Sequence, residues 1–231
     1  MTVMFLGLDK KDRNKVAVID DNGTSVTYGE ISDFSKLFAT QLPYRTLIFI
    51  LSENKIGSLL GYTASLTNRI VPLVLSAATE ESLYEHLLEV YKPEYLWLPN
   101  HLAEKKGLSS VFSAWDYSLV KIGYPRVPMF EELSLLLPTS GSTGSPKLVR
   151  HSYRNIEANA DNVRRLFELD GTERAMAILP MHYTMGLSVI ASHLLAGSTL
   201  LLSGRSLWTR GFGLCSKKRP VSLECLIVMR Y

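Results

Sequence analysis

Three apolar runs, Thr46-Leu-Ile-Phe-Ile-Leu51, Ile70-Val-Pro-Leu-Val-Leu75 and Tyr95-Leu-Trp-Leu98, set the fold class of this chain. Each is short and free of charge. A run that is apolar at every position, and not at alternate ones, is what a strand covered on both faces requires. Between the first two lies a segment that reads as a helix over about residues 54–67. Before the third, Thr79 can cap a helix that places Glu80 and Glu81 at the positive end of its dipole and continues through Leu83, His86, Leu87 and Val90. Strand, helix, strand, helix, strand at these lengths implies βαβ units. The fold class is therefore α/β, with a mixed, mostly parallel sheet covered by helices. Pro72 predicts an edge or irregular place for the second run, because proline cannot donate to a ladder.

On the N-terminal side of these runs, Lys15-Val-Ala-Val-Ile-Asp20 reads as a strand, Asp21-Asn-Gly23 as a tight turn, and residues 24–27 as the returning partner. Thr27 with Glu30 three residues later is a capping box, in which each side chain satisfies a backbone N–H at the helix start. Ile31, Phe34, Leu37 and Phe38 follow at helical spacing as its buried face. On the C-terminal side, the pattern weakens into short strands and turns over 105–128. A strand over 133–137 follows, then a helix capped by Ser152 with Ile156, Ala160, Val163 and Phe167 on one face. A strand over 175–179, a helix over 186–195 and a strand over 199–202 complete the pattern. His86, His101 and His193 read as partly buried structural histidines and not as ligands.

Composition narrows the functional classes. The 231 residues are 46% apolar and 20% charged, ordinary for a globular protein, and the net charge of +3 is too small for a nucleic-acid or membrane surface. No run reaches the roughly 18 apolar residues of a membrane helix, and Met1 opens no signal segment. Two cysteines, Cys215 and Cys225, offer neither a disulfide framework nor a cysteine metal site, so the expected location is cytoplasmic.

The chemistry concentrates in Leu136-Leu-Pro-Thr-Ser-Gly-Ser-Thr-Gly-Ser-Pro-Lys-Leu-Val149. Gly141 and Gly144 let the backbone approach a ligand closely. Successive N–H groups can then line an anion-binding concavity, with Thr139, Ser140, Ser142 and Thr143 adding hydroxyl donors and Lys147 a positive charge. A polyphosphate is the natural ligand. A flexible linker fits poorly, because the loop is short and held between two strand-like runs. A Walker A loop also fails: Pro146 stands where its second glycine would be, Leu148 replaces the magnesium-binding hydroxyl, and a strand, not a helix, follows.

Thr139-Ser-Gly-Ser-Thr-Gly-Ser-Pro-Lys147 resembles the phosphate-binding signature of the adenylate-forming superfamily, which includes acyl-CoA synthetases, luciferases and the adenylation domains of nonribosomal peptide synthetases. Val26-Thr-Tyr-Gly-Glu-Ile31 resembles its early Thr-Tyr-x-Glu-Leu element. Leu179-Pro-Met-His-Tyr-Thr-Met-Gly-Leu187 resembles its Pro-x-x-His-x-x-Gly element. The resemblance covers about residues 10–203 and implies an incomplete N-terminal domain of that fold. It implies ATP with Mg²⁺ and a carboxylic acid substrate, with coenzyme A or a carrier-protein thiol as acyl acceptor. The carboxylate would attack the α-phosphate of ATP, giving an acyl-adenylate and pyrophosphate. By the same resemblance Thr139, Ser140, Ser142, Thr143 and Lys147 grip the β- and γ-phosphates, Gly141 and Gly144 shape the loop, and His182 lies by the carboxylate and adenylate.

Later family elements have no counterpart here: an aromatic-Gly-x-Thr-Glu stretch, a ribose-binding aspartate, a hinge and a late lysine. The resemblance thus implies an inactive fragment, one half of a split ligase completed by a second polypeptide, or a nucleotide-binding pseudoenzyme module. Residues 1–203 form the partial AMP-binding domain. Residues 204–231 are atypical, with six basic residues against the single acid Glu224 and both cysteines. They read either as a frame-disrupted end or as a basic surface helix and tail.

Overall fold

The computed structural model describes residues 4–139 and 147–204. In chain order, a short 3₁₀ segment (Phe5–Lys10) leads to β1 (Val16–Ile19), β2 (Ser25–Thr27), α1 (Tyr28–Ala39), β3 (Leu47–Ser52), α2 (Ile56–Thr67), β4 (Val71–Ser76), α3 (Glu81–Tyr91) and β5 (Tyr95–Pro99). Then come α4 (Asn100–Lys105), β6 (Ser110–Ala114), β7 (Tyr117–Lys121), β8 (Leu133–Pro138), β9 (Leu148–Ser152), α5 (Tyr153–Leu166), β10 (Arg174–Ala177), α6 (Thr184–Ala196) and β11 (Thr199–Leu202).

These strands form two sheets. One has seven strands in the order β6-β7-β5-β3-β4-β8-β9; its centre, β5-β3-β4-β8, is parallel, and antiparallel strands flank it. The other has four strands in the order β10-β11-β1-β2, in which β1 pairs in parallel with β11 and antiparallel with β2. The expected α/β class with a mixed, mostly parallel sheet holds. The first hairpin turns as expected too: Gly23 takes φ +81°, and the Asp20 carboxylate accepts from the N–H groups of Asn22 and Thr24.

Strand β3 shows why its sequence is apolar throughout. Ile48 and Ile50 enter a core shared with Phe38 of α1, Leu59 of α2, Ile190 of α6 and Leu200 of β11. Phe49 and Leu51 enter a second core with Tyr84 and Leu87 of α3 and Ala103 of α4. The large core therefore lies between the two sheets, and the small one covers the outer face of the seven-stranded sheet. Helix α2 is buried along nearly its whole length. Its Gly57 and Gly61 let Tyr117 and Trp97 pack directly on the helix backbone, and the Trp97 indole N–H donates to the Gly57 carbonyl at 2.8 Å.

The capping box forms as read: Thr27 Oγ1 accepts from the Glu30 N–H at 3.2 Å, and the Glu30 carboxylate accepts from the Thr27 N–H at 2.7 Å. Replacing Thr27 with alanine is expected to cost about 1 kcal/mol, measured as a lower midpoint in equilibrium urea unfolding. A variant with the wild-type midpoint would show that the cap carries no net stability.

Several local expectations are corrected. Pro72 lies in an interior strand. Val71 and Ala77 donate to the carbonyls of Thr46, which precedes β3, and of Ser52, which ends it, so the two-residue alternation turns the Pro72 nitrogen towards β8, with which β4 pairs at Leu73. Leu37 is 48% exposed at the far edge of the α1 face. Thr79 does not cap α3; its hydroxyl donates to the Ser76 carbonyl, and the helix starts after Glu80. His86 and Val90 are exposed, and Tyr84 with Leu87 forms the buried face. His101 is exposed as well, whereas His193 is buried as expected, its Nδ1 2.8 Å from the Val189 carbonyl.

Candidate functional site

Adjacent parallel strands whose connections leave to opposite faces open a crevice at their carboxyl ends, and ligands of α/β proteins gather there. Here β3 continues into α2, in the core between the sheets, while β4 and β5 continue into α3 and α4 on the outer face. A cavity of about 760 Å³ occupies that crevice. Ser52 and Ser76, partners in register at the ends of β3 and β4, form its floor. Glu53, Asn54 and Lys55 enter from the β3–α2 turn, Ala77 and Ala78 from the β4–α3 turn, and His101 from α4. The four-stranded sheet supplies the opposite wall through the turn at Asp20–Asn22 and the segment from Ile178 to His182.

The charges in this cavity are mixed. The Glu53 carboxylate lies between the Lys55 ammonium at 2.7 Å and His101 Nε2 at 3.7 Å. Asp21 accepts from the Gly204 N–H, which ties the hairpin turn to the chain beyond β11. His182 is half-buried and packs on the Tyr183 ring at 4.3 Å between centroids. Burial holds its pKa below the ordinary histidine value, so the neutral imidazole is favoured at neutral pH.

The His182 segment is shaped by a close approach. The Tyr183 N–H donates to the Pro180 carbonyl at 3.1 Å, closing a turn. Gly186, in the first turn of α6, faces the same carbonyl: a Cβ there would stand 2.3 Å from the Pro180 oxygen. The spacing Pro180-x-x-x-x-x-Gly186 thus has a steric cause, since only glycine lets the helix start against the turn that carries His182.

Of the sequence-predicted loop residues, Thr139 and Lys147 are described, and both are exposed. Ser140, Gly141, Ser142, Thr143 and Gly144 lie outside the described residues, as do Cys215, Cys225 and the tail from Arg205 onward. The Thr139 N–H donates to the Lys147 carbonyl at 2.9 Å, closing the base of the loop. Leu136 of β8 is level with Leu73 of β4, so Thr139 continues at the level of Ser76, at the same end of the sheet as the cavity. Thr139 and Lys147 do not themselves line the cavity; His182 does. A strand follows Lys147, as predicted. The residues missed in the sequence are those after β3 and β4. Their only signal was a polar Ser52-Glu53-Asn54-Lys55 step directly after an apolar run.

Among the described residues, no group of three His, Cys, Asp or Glu side chains could hold a metal, and no helix is long and apolar enough to cross a membrane.

Known proteins resemble this chain in sequence and in fold. A sulfoacetate–CoA ligase from Cupriavidus necator is 42% identical over 64 residues, covering 28% of this chain and 13% of the relative. A plipastatin synthase component from Bacillus subtilis is 23% identical over 214 residues, covering 86% of this chain and 8% of the relative. The O-succinylbenzoate coenzyme A synthetase of Bacillus subtilis, solved with ATP and a magnesium ion, superposes with a TM-score of 0.71 at 18% identity, over 92% of this chain and 59% of the synthetase. The chain thus spans little more than half of that structure and a small part of either curated relative. The model of the family described as "AMP-binding enzyme" matches residues 8–220, from the first 3₁₀ segment through both sheets and across the loop before Lys147, and the chain belongs to that family.

Proposed function

We propose that this chain carries the ATP-phosphate and His182 portion of an enzyme that activates a carboxylic acid by adenylation. The observation that supports the reading is the hydroxyl-and-glycine sequence from Thr139 to Lys147, whose two ends are joined by a backbone hydrogen bond at the carboxyl end of β8, the same end of the sheet as the cavity. Such a turn offers backbone N–H groups, hydroxyls and one ammonium to phosphate oxygens. The substrate is ATP with Mg²⁺ carried on its phosphates, the usual way that ion binds with few protein ligands. A carboxylate oxygen bonds to the α-phosphorus, the bond to the bridging oxygen breaks, and pyrophosphate leaves. The loop residues Ser140, Gly141, Ser142, Thr143 and Gly144 hold the departing phosphates, and Lys147 neutralises charge that accumulates on them. His182, neutral at working pH, acts by hydrogen bonding and shape at the carboxylate rather than as a fixed cation. The sulfur of a coenzyme A or carrier-protein thiol then bonds to the acyl carbonyl carbon and gives up its proton, and the acyl–phosphate bond breaks to release AMP. The assignment is to the whole enzyme, of which this chain is proposed to supply part of the AMP-binding domain in residues 1–203, followed by an atypical basic stretch over 204–231 into which the family match extends as far as residue 220.

Titration of the full chain with Mg·ATP by calorimetry tests the reading. Wild type is expected to bind, and Lys147→Ala to bind about tenfold or more weakly, the effect of losing one charge-assisted hydrogen bond. Equal affinity of wild type and variant, or no binding by either, would overturn it.

A further inference from the structure

We infer that Asn54 is a positioning residue for His182: its carboxamide joins the ends of both sheets and fixes the backbone turn that carries the histidine. This rests on the adenylation reading for its functional meaning, but not for its geometry. The Asn54 Nδ2 group donates to the carbonyls of Ser203 at 3.0 Å and Leu179 at 3.1 Å, with Ala177 at 3.4 Å sharing a proton. Its Oδ1 accepts from the Met181 N–H at 3.2 Å. Ala177 ends β10 and Ser203 follows β11, so one side chain from the seven-stranded sheet's β3–α2 turn holds two strand ends of the other sheet. Leu179 and Met181 bracket Pro180, whose carbonyl faces Gly186. The turn carrying His182 is therefore held from one side by Asn54 and from the other by the bare backbone of α6.

The residue type follows from this demand. Asparagine usually bonds its own neighbouring backbone and shapes a local turn. These four contacts instead reach 123 to 149 residues along the chain. Two N–H donors and a carbonyl acceptor on one short, uncharged group are supplied by a carboxamide alone. Aspartate would set a carboxylate against three carbonyl oxygens, and alanine would leave the Leu179 and Ser203 carbonyls and the Met181 N–H without this partner. Nothing in the motif around His182 requires an asparagine 128 positions earlier; only the meeting of the two sheets does.

Histidine NMR on the full chain decides the matter, with isotope-labelled imidazoles and the His182 signal assigned by its loss in His182→Gln. The chain has five histidines. In wild type, His182 is expected to titrate below the ordinary value of 6.5. In Asn54→Ala its midpoint should move up towards 6.5 and its ring shifts towards those of a free imidazole. The groups sharing its cavity, Asp20, Asp21, Glu53, Lys55 and His101, are untouched by the substitution. His193, buried in α6, reports the fold and should keep its wild-type signal. If Asn54→Ala also loses the His193 signal, the same comparison is read from Asn54→Ser, which keeps one donor in a smaller side chain. An unchanged His182 in a variant that retains His193 overturns the proposal. No nucleotide is present in this measurement. A chain that fails to bind ATP yet releases His182 on losing Asn54 therefore sinks the adenylation reading alone.

Discussion

Alanine at Gly57 is expected to lower stability by about 3 kcal/mol, the upper part of the range for overpacking a core. A Cβ at this position would lie 2.3 Å from Cδ2 of Tyr117 and 2.5 Å from the Trp115 carbonyl oxygen. The ring cannot swing aside cheaply. Tyr117 is fully buried, and its hydroxyl is bonded to Ser58 and to the Glu53 N–H. The carbonyl belongs to a two-residue turn and moves only if the β6–β7 hairpin moves. Against this stands the gain in helix propensity on replacing glycine, at most about 1 kcal/mol and smaller at the second residue of a helix. Equilibrium urea unfolding of the full chain measures the difference. Gly61→Ala should also destabilise, through contact with the buried Trp97 ring at 2.3 Å, but by less, because no backbone atom obstructs it and the propensity gain is larger in mid-helix. A Gly57→Ala chain as stable as wild type would mean that α2 does not lie against β7 as described.

The second large effect is expected at the opposite end of the seven-stranded sheet. Arg45 precedes β3 and is only 7% exposed. Its guanidinium donates to the carbonyls of Leu133, at 2.8 Å, and Phe130, and approaches that of Arg69 at 3.5 Å. One side chain thus gathers the starts of β3, β4 and β8. Arg45→Met keeps much of the volume but orphans those carbonyls, and a loss of about 3 kcal/mol is expected from hydrogen bonds of a charged donor. Arg45→Lys should recover less than half of it, because a single ammonium cannot span carbonyls that a planar fork reaches together. The 3.8 Å approach to Glu131 matters little, since that carboxylate is exposed and water-screened. The same unfolding measurement decides: a midpoint for Arg45→Met at the wild-type value would remove Arg45 from the account of stability.

These two sites differ in how visible they are before folding. Gly57 and Gly61 are legible as glycines in a helical stretch, where they carry a propensity cost that demands a packing reason. Arg45 gives no such signal. It reads as a solvated charge at a strand start, and only the carbonyls converging from residues 130–133 make it a clamp. Asn54 is the same case at the end of the sheet that holds the cavity. The run before Lys147 is the reverse: the role proposed for it is legible in adjacent residues, because an anion site of that kind draws on consecutive backbone N–H groups. The β6–β7 hairpin reads only as short strands and turns over 105–128, because Trp115 and Asp116 both take positive φ without a glycine to mark the turn.

Amino-acid order alone specified local features: the covered strands from their unbroken apolar runs, the start of α1 from Thr27 and Glu30, and the family from three short motifs in order, among them the hydroxyl-and-glycine run from Thr139 to Lys147 proposed above to hold phosphate. Which strands meet was settled only on folding. Folding paired β1 with β11, nearly the full described chain apart, divided the strands between two sheets, and put Pro72 in an interior strand. It also brought Asp20, Asn54, His101 and His182 to one cavity. Periodicity and capping record the environment of neighbouring residues, whereas strand partners and the bonds of buried polar groups depend on segments that become neighbours only when the chain folds.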